Sequence, residues 1–445
     1  MQNTQEQKYK TMTEAPVKGL IVKLAIPTMI SMLVTSFYNM ADTFFVGKLG
    51  PSATGAVGVV FSVMAIIQAV GFFFGHGSGN YISRALGAHD VFGAESMAAT
   101  GFFSALIGGT VIMIGGLLFL EPLALALGSS KTILPYAVDY LRWILIGAPY
   151  MTASLVLNNQ LRFQGNAIYA MIGLVSGAVI NIALDPLLIF TFDLGVSGAA
   201  IATIVSQLVS FVILLIGIFR SNAIDIRIRN FKPTVERYKI IVNGGSPSLF
   251  RQGLNSVATI CLNVAARAYG DYAIAGMSIV TRIMQFANSC LIGFGQGFQP
   301  VCGFNYGAKK FDRVREGFWF CVKLSTAVLL VLAAACFAFA PAIVSLFQDD
   351  PGVIKVGRIA LRLQCITFPL AGWIVMSNMM SQTIGKAIPA SFLAMARQGL
   401  FFIPAVLILP HFLGILGVEL SQAVADAITI AVAIPLQLKI MREMK

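Results

Sequence analysis

A succession of twelve long apolar segments constrains the fold of this chain more than any other feature of its sequence. A membrane-spanning helix needs about 20 predominantly apolar residues, and each segment reaches that length. The chain is 57% hydrophobic and 11% charged, whereas soluble domains carry about 25% charged residues. The sequence therefore predicts an all-α integral membrane protein with twelve transmembrane helices. The predicted segments are 20–46, 53–82, 94–119, 134–160, 167–190, 195–219, 240–267, 273–301, 315–340, 353–383, 388–410 and 414–438.

The positions of Lys and Arg predict the orientation of these segments. Basic residues concentrate in alternate short loops, which is how membrane proteins mark their cytoplasmic side. They include Lys8 and Lys10 in the N-terminal tail, Arg162, and several residues of the loop at 220–239. We therefore expect a multi-pass protein of the plasma membrane with both termini in the cytoplasm. The same distribution makes the net charge of +12 a topology signal, so no nucleic-acid partner is predicted.

The two halves of the chain repeat one another with a shift of 220 residues. Pro27 corresponds to Pro247, and Asn158 corresponds to Asn378. Each half contains an even number of segments, so both halves enter the membrane from the same side and form two pseudo-symmetric six-helix bundles around a cavity. Paired lobes around a cavity suit alternating access, which makes transport the leading function. The predicted domains are an N-terminal lobe at 1–219, a basic cytoplasmic linker at 220–239 and a C-terminal lobe at 240–445.

An acidic residue within the fifth segment is the first functional candidate. A charged side chain at the centre of a membrane helix costs about 3 kcal/mol or more and is therefore functional by default. Asn181 lies one helical turn before Asp185 on the same face, and Pro186 frees a backbone carbonyl of the preceding turn. This stretch is typical of a site for a small cation or a proton. The alternative is a structural acid that a neighbouring helix satisfies.

Three further polar residues of the first half are predicted at a similar depth. Asp42 lies near the outer end of helix one, Tyr140 near the outer start of helix four, and Thr203 about two turns into helix six. Two neighbouring carboxylates favour sharing a proton. The oxygens of Asp42, Asn181, Asp185 and Thr203 can instead hold a sodium ion. The choice between H⁺ and Na⁺ stays open.

The second half carries a different set of charges at mid-membrane depth. Arg282, Arg397 and Asp426 each lie about ten residues from a helix end. Buried charges are usually paired, so these residues form a structural network or, alternatively, an arginine reaches the cavity and contacts anionic groups. Arg282 is the cavity candidate among them. Tyr38, one turn before Asp42, either lines the cavity or packs.

With these residues assembled, the chain resembles the multidrug and toxic compound extrusion (MATE) family. The resemblance rests on the two six-helix repeats, on Met40-Ala-Asp-Thr-Phe-Phe-Val-Gly47 and on the Asn181-to-Phe190 stretch, which looks like the DinF-type branch. It implies a V-shaped pair of bundles that exports organic, often cationic, drugs in exchange for Na⁺ or H⁺, with bending of helix one near Pro27. By residue match, it implies a first-lobe cation site at Asp42, Asn181, Asp185 and Thr203, with Tyr140 and Asn158 in the surrounding polar network and Asn158 also a cavity candidate.

Two other functions are weighed against drug efflux. A lipid-linked precursor flippase of the same superfamily needs cavity-facing cations for a pyrophosphate, and Arg251, Arg282 and Arg397 keep it open. A membrane-embedded enzyme needs clustered acids, His or Cys, and the three scattered histidines argue against one. The sequence contains no GxGxxG, Walker P-loop, GxSxG or HExxH motif, so neither catalysis nor a cofactor beyond the coupling ion is expected. The expected partners are small-molecule drugs or dyes and the lipid bilayer, with no obligate protein partner, so we expect a monomer.

Overall fold

Twelve long helices account for most of the computed structural model, which describes residues 2–221 and 224–444. Ten of them are long and apolar enough to cross a membrane, and α7 and α8 match these ten in length. The prediction of twelve transmembrane helices is confirmed. The helices are α1 (Val17–Gly47), α2 (Pro51–Gly87), α3 (Val91–Leu118), α4 (Leu134–Phe163), α5 (Ala167–Thr191), α6 (Gly195–Ser221), α7 (Val235–Arg267), α8 (Asp271–Gly307), α9 (Phe311–Ala338), α10 (Pro351–Thr383), α11 (Ala387–Leu413) and α12 (Ile415–Glu443).

The chain between α6 and α7 separates the two halves. Its described part contains one short 3₁₀ turn, Ile228–Asn230. Thr234 then caps α7 by accepting a hydrogen bond from the backbone N–H of Arg237, at 3.4 Å. The domain limits at 1–219, 220–239 and 240–445 stay predictions. Four residues within those limits lie outside the described part of the chain: Met1, Asn222, Ala223 and Lys445.

Glycines allow close packing of α5 against α6 in the first lobe. A Cβ at Gly173 of α5 would lie 2.5 Å from Leu214 of α6, and a Cβ at Gly177 would lie 2.9 Å from Ser210. Small residues at this four-residue spacing are the usual means of close helix approach in membranes. The helix that carries Asp185 is therefore fixed against α6.

The two lobes meet along a seam near the end of the helices where the N-terminus lies. A Cβ at Gly297 of α8 would lie 2.4 Å from the Cα atom of Ala25 in α1. Gly77 of α2 makes an equally close approach to the backbone of Ile241 in α7. Since α1 and α2 correspond to α7 and α8 under the repeat, these two contacts are related by the pseudo-symmetry. The result is the V-shaped arrangement of two six-helix bundles.

A separate N-terminal helix, Gln2–Glu14, lies across the seam. The ring of Tyr9 packs in a tilted arrangement against His89 of the first lobe, with a centroid distance of 3.9 Å. On the other side, Asn305 Nδ2 of the second lobe donates a hydrogen bond to the carbonyl of Met12, at 3.0 Å. This helix therefore contacts both lobes where they join.

Candidate functional site

The stretch around Asp185 departs from regular α-helical geometry. Residues Leu187–Thr191 form a π-helical turn directly after Pro186. Asn181 Nδ2 lies 3.5 Å from Asp185 Oδ1, and both side chains are fully buried. Single π turns occur often at functional sites because they re-aim side chains and loosen backbone hydrogen bonds. The Asn181–Asp185 pair therefore lies where the backbone itself is disturbed.

Residues from three other helices converge on this pair. Asp42 of α1 interacts electrostatically with Asp185. Tyr140 of α4 interacts electrostatically with both acids, and its hydroxyl neighbours the side chain of Thr203 of α6. Tyr140 and Thr203 are buried, whereas Asp42 is partly exposed. The structure thus brings together all five residues that the sequence placed in one polar cluster, which we call the first-lobe cluster.

Several oxygens of the first-lobe cluster lack hydrogen-bond partners. Within the described part of the chain, no partner exists for Asp42 Oδ1, Tyr140 Oη, Asn181 Oδ1 or Asp185 Oδ2, although each of these atoms is buried. Buried polar atoms are otherwise almost always paired, because each unpaired one costs free energy. Carboxylate, amide and hydroxyl oxygens are ligands for hard cations. The donor set therefore fits a small cation, or a proton shared by the acids.

The composition of the cluster argues against a transition metal. Among the described residues, no group of three or more His, Cys, Asp and Glu side chains is close enough to hold a metal ion. The cluster contains two acids and otherwise neutral oxygens. Such a site suits a monovalent ion.

Tyr38 lies at the border of the cluster. It is half-buried and interacts electrostatically with both Asp42 and Asp185. Its hydroxyl neighbours the side chain of Gln207. Sequence reasoning missed Gln207, although its position four residues after Thr203 on α6 places it on the same helix face. It extends the polar lining of α6 by one turn.

Asn158 is not brought to the cluster. Its Nδ2 donates a hydrogen bond to the carbonyl of Ala170, at 2.9 Å. The repeat-related Asn378 makes the matching hydrogen bond to Ala390, at 2.6 Å. These bonds connect α4 to α5 and α10 to α11. The side chain of Asn158 therefore makes a structural contact between neighbouring helices.

Arg162, which the sequence analysis assigned to a loop, lies at the end of a helix and is buried. It lies in the last turn of α4 and is only 2% exposed. Its Nη2 donates to Asn159 Oδ1 at 2.6 Å and lies 3.3 Å from His76 Nε2. An arginine at a helix end can reach inward as well as snorkel outward, and loop charge counting does not distinguish the two. The contact with Arg162 gives His76 a structural role.

The charges of the second lobe separate into a pair and a single exposed residue. Arg397 Nε and Nη2 donate to the two carboxylate oxygens of Asp426, at 2.8 and 3.3 Å. Gln422 donates to Asp426 Oδ1 at 2.9 Å, and Arg397 Nη1 donates to Asn288 at 3.4 Å. Arg282 is exposed and takes part in none of these hydrogen bonds. The network interpretation therefore holds for Arg397 and Asp426 and not for Arg282.

Helix α1 runs without interruption through Pro27. The next residue, Thr28, donates to the carbonyl of Gly293 in α8 at 2.6 Å, across the lobe seam. Bending of α1 near Pro27 stays a prediction. The geometry does place that proline next to the contact between lobes.

Two six-helix lobes joined by a seam, with an unsatisfied polar cluster inside one lobe, define a two-lobed membrane transporter. The sequence model of the MatE family matches residues 27–187 and 247–407, two copies separated by the same 220 positions as the repeat. The chain belongs to the MatE family. It is thus a multi-pass protein of the plasma membrane, while the DinF-type branch stays a prediction.

Relatives and solved structures agree with this membership. The multidrug export protein MepA of Staphylococcus haemolyticus (strain JCSC1435) is 29% identical over 421 residues, which cover 93% of this chain and 92% of that protein. MepA of Staphylococcus aureus (strain NCTC 8325 / PS 47) is 28% identical over 417 residues, again 93% and 92% of the two chains. A solved multidrug resistance MATE family transporter of the MOP superfamily, in an outward-facing conformation, superimposes with a TM-score of 0.92, at 29% identity over 98% of each chain.

Proposed function

We propose that the protein is a multidrug efflux antiporter, which exports organic, often cationic, compounds in exchange for H⁺ or Na⁺. Similarity to multidrug export proteins over more than nine-tenths of the chain supports the export of drugs. The single observation that carries the coupling is the set of unpaired oxygens of Asp42, Tyr140, Asn181 and Asp185. A cation or proton bound there satisfies atoms that otherwise remain buried without partners.

The proposed coupling passes through α1. This helix carries Asp42 and packs against both α5 in its own lobe and α8 in the other. Ion binding draws Asp42 and Asp185 together by cancelling their repulsion, and that changes how α1 lies on α5. The Thr28-to-Gly293 hydrogen bond then transmits the change to the seam, next to Pro27. Drug release to the outside follows from the altered lobe contact.

The orientation belongs to the same proposal. The basic residues of the loops support cytoplasmic termini, and with that orientation the seam lies on the cytoplasmic side. The cavity between the lobes is then open to the outside. We propose a monomeric transporter without enzymatic activity and without a cofactor other than the coupling ion.

Dye efflux from proteoliposomes tests the proposed function. A fluorescent cationic dye is loaded, and a Na⁺ gradient or an H⁺ gradient is imposed in separate experiments. We expect one of the two gradients to drive efflux and Asp185→Asn to reduce driven efflux to the background. The matched control is Asp193→Asn, an exposed acid eight residues later on the same stretch of chain, which keeps efflux at the wild-type rate.

Two outcomes would contradict the proposal. Unimpaired driven efflux by a folded Asp185→Asn protein removes the first-lobe cluster from the mechanism. Efflux driven by neither gradient removes antiport, and transport assays with a lipid-linked pyrophosphate then test the flippase alternative.

A further inference from the structure

The second lobe contains a partly open chamber that is distinct from the first-lobe cluster. Its volume is about 280 Å³, and residues of α7, α8, α10, α11 and α12 line it. Neutral amides form much of its polar surface, at Gln252, Asn255, Gln285, Asn288, Gln364, Asn378, Gln398 and Gln422. Its apolar surface includes Leu262, Met277, Met284, Leu393, Phe402 and Val418. The chamber therefore offers hydrogen bonds and an apolar surface within one space.

Two arginines supply the charge of this chamber. Of the described residues that line it, Arg251 and Arg397 are basic and none is acidic. Asp426 neutralises Arg397 through the bidentate contact described above. Arg251 makes one described hydrogen bond, from Nη1 to the neutral Asn378 Oδ1 at 3.3 Å. The net positive charge of the chamber therefore comes from Arg251.

A second arginine reinforces this charge from across the seam. Arg162 of the first lobe and Arg251 repel each other electrostatically. The described partners of Arg162 are the neutral Asn159 and the ring nitrogen of His76, so no carboxylate offsets it. Two like charges held near each other without a counter-charge favour an anion between or beside them.

The repeat argues against a purely structural role for Arg251. The hydrogen bond that fixes Asn378 to Ala390 has its counterpart in the bond from Asn158 to Ala170. The first-lobe position that corresponds to Arg251 is Ser31, because the shift is 220 residues. The amide-to-carbonyl bond thus forms in the first lobe without an arginine. Arg251 is an addition of the second lobe.

We propose that this chamber binds the carboxylate end of organic anions and zwitterions, with Arg251 as the group that recognises the carboxylate. A guanidinium with free N–H donors matches a carboxylate in geometry and charge. The amides complete its hydrogen bonds, and the methionines and aliphatic side chains contact the apolar body. The inference rests on the proposed function, since it names a ligand class for the transporter.

The test compares an acid with its own ester. A fluorescent coumarin carboxylic acid and its methyl ester are titrated at equilibrium into the purified full-length protein, and the ratio of their dissociation constants is measured. We expect wild type to bind the acid about tenfold more tightly than the ester, since only the acid carries the charge that Arg251 recognises. Arg251→Gln should bring the ratio to about one, and Arg251→Lys should restore part of the preference.

Arg267→Gln is the matched control, because Arg267 is an exposed arginine on the same helix. It should keep the wild-type ratio. A wild-type ratio near one overturns the proposal even if the Arg251 variants fail to fold, and so does an unchanged ratio in folded Arg251→Gln. This binding experiment uses no ion gradient, so its result is independent of the efflux experiment. The acid preference can persist when gradient-driven dye efflux fails, and dye efflux can persist when the acid preference is absent.

Discussion

In the first lobe, the acids Asp42 and Asp185 each have a buried oxygen without a hydrogen-bond partner, whereas in the second lobe both carboxylate oxygens of Asp426 are bonded. Arg397 supplies the counter-charge in the second lobe, and the described contacts of the two first-lobe acids include no basic side chain. A satisfied pair holds its own helices together and needs no ligand. An unsatisfied set of oxygens is where a mobile ion gains most by binding.

The corresponding helices α5 and α11 differ in where a charged residue lies relative to a π-helical turn. Each contains one π-helical turn, at Leu187–Thr191 and at Ala396–Leu400. The turn follows Asp185 in α5 but contains Arg397 in α11. A π turn shifts every later side chain around the helix axis. Related helices of the two lobes thus carry an acid just before a π turn in the first lobe and a base within a π turn in the second.

The largest expected change in stability comes from breaking the second-lobe pair. Asp426→Asn leaves the guanidinium of Arg397 buried without its counter-charge, which costs about 3 kcal/mol. The free energy of unfolding of the detergent-solubilised protein, measured by denaturant titration, should fall by this amount. An unchanged free energy of unfolding would show that the pair does not stabilise the lobe.

The double variant Arg397→Gln with Asp426→Asn is the control for that change. It removes both charges together, so its cost should be smaller than the sum of the two single costs by about 1–3 kcal/mol. Strict additivity would mean that the two side chains do not interact in solution.

A smaller and equal effect is expected where the lobes are alike. Asn158→Ala and Asn378→Ala each remove one amide-to-carbonyl hydrogen bond between neighbouring helices. Asn378→Ala also removes the long hydrogen bond from Arg251 Nη1, at 3.3 Å, which adds little to that loss. Each should lower the free energy of unfolding by about 1 kcal/mol. The same denaturant titration checks both variants. If only one of the two variants lowered the free energy of unfolding, the two hydrogen bonds would be alike in geometry but not in their contribution to stability.

The smallest effect on stability is expected from Asp185→Asn. The variant removes a buried negative charge and only a hydrogen bond at the distance limit, so the free energy of unfolding should stay within about 0.5 kcal/mol of wild type or rise. This outcome separates Asp185 from Asp426 although the chemical change is identical. A loss as large as that of Asp426→Asn would make Asp185 a structural acid.

Depth within the membrane was predictable from the sequence, but rotation about each helix axis was not. Counting residues from the helix ends placed Asp42 and Asp185 at a similar depth and Thr203 about one turn deeper, and the structure brings the three residues together. The same counting placed Arg282 with Arg397, yet Arg282 is exposed, whereas Arg397 pairs with Asp426. Rotation depends on packing and on π turns, which a hydropathy pattern does not contain.

Long side chains and neutral amides also caused differences between the sequence-based predictions and the structure. Arg162 was assigned to a loop by its position, but its side chain is long enough to turn inward to His76. The amides of the chamber carry no charge, so neither topology nor charge pairing singled them out. Repeat comparison was the signal available: Arg251 stands where the first lobe has Ser31.

Ion binding to the purified protein tests the assignment of the first-lobe cluster most directly. Binding of radioactive sodium and uptake of protons by potentiometric titration are measured without substrate, in wild type, Asp185→Asn and Asp193→Asn. We expect wild type and Asp193→Asn to bind one of the two ions, and we expect Asp185→Asn to lack this binding site. Identical ion binding by wild type and Asp185→Asn would contradict it.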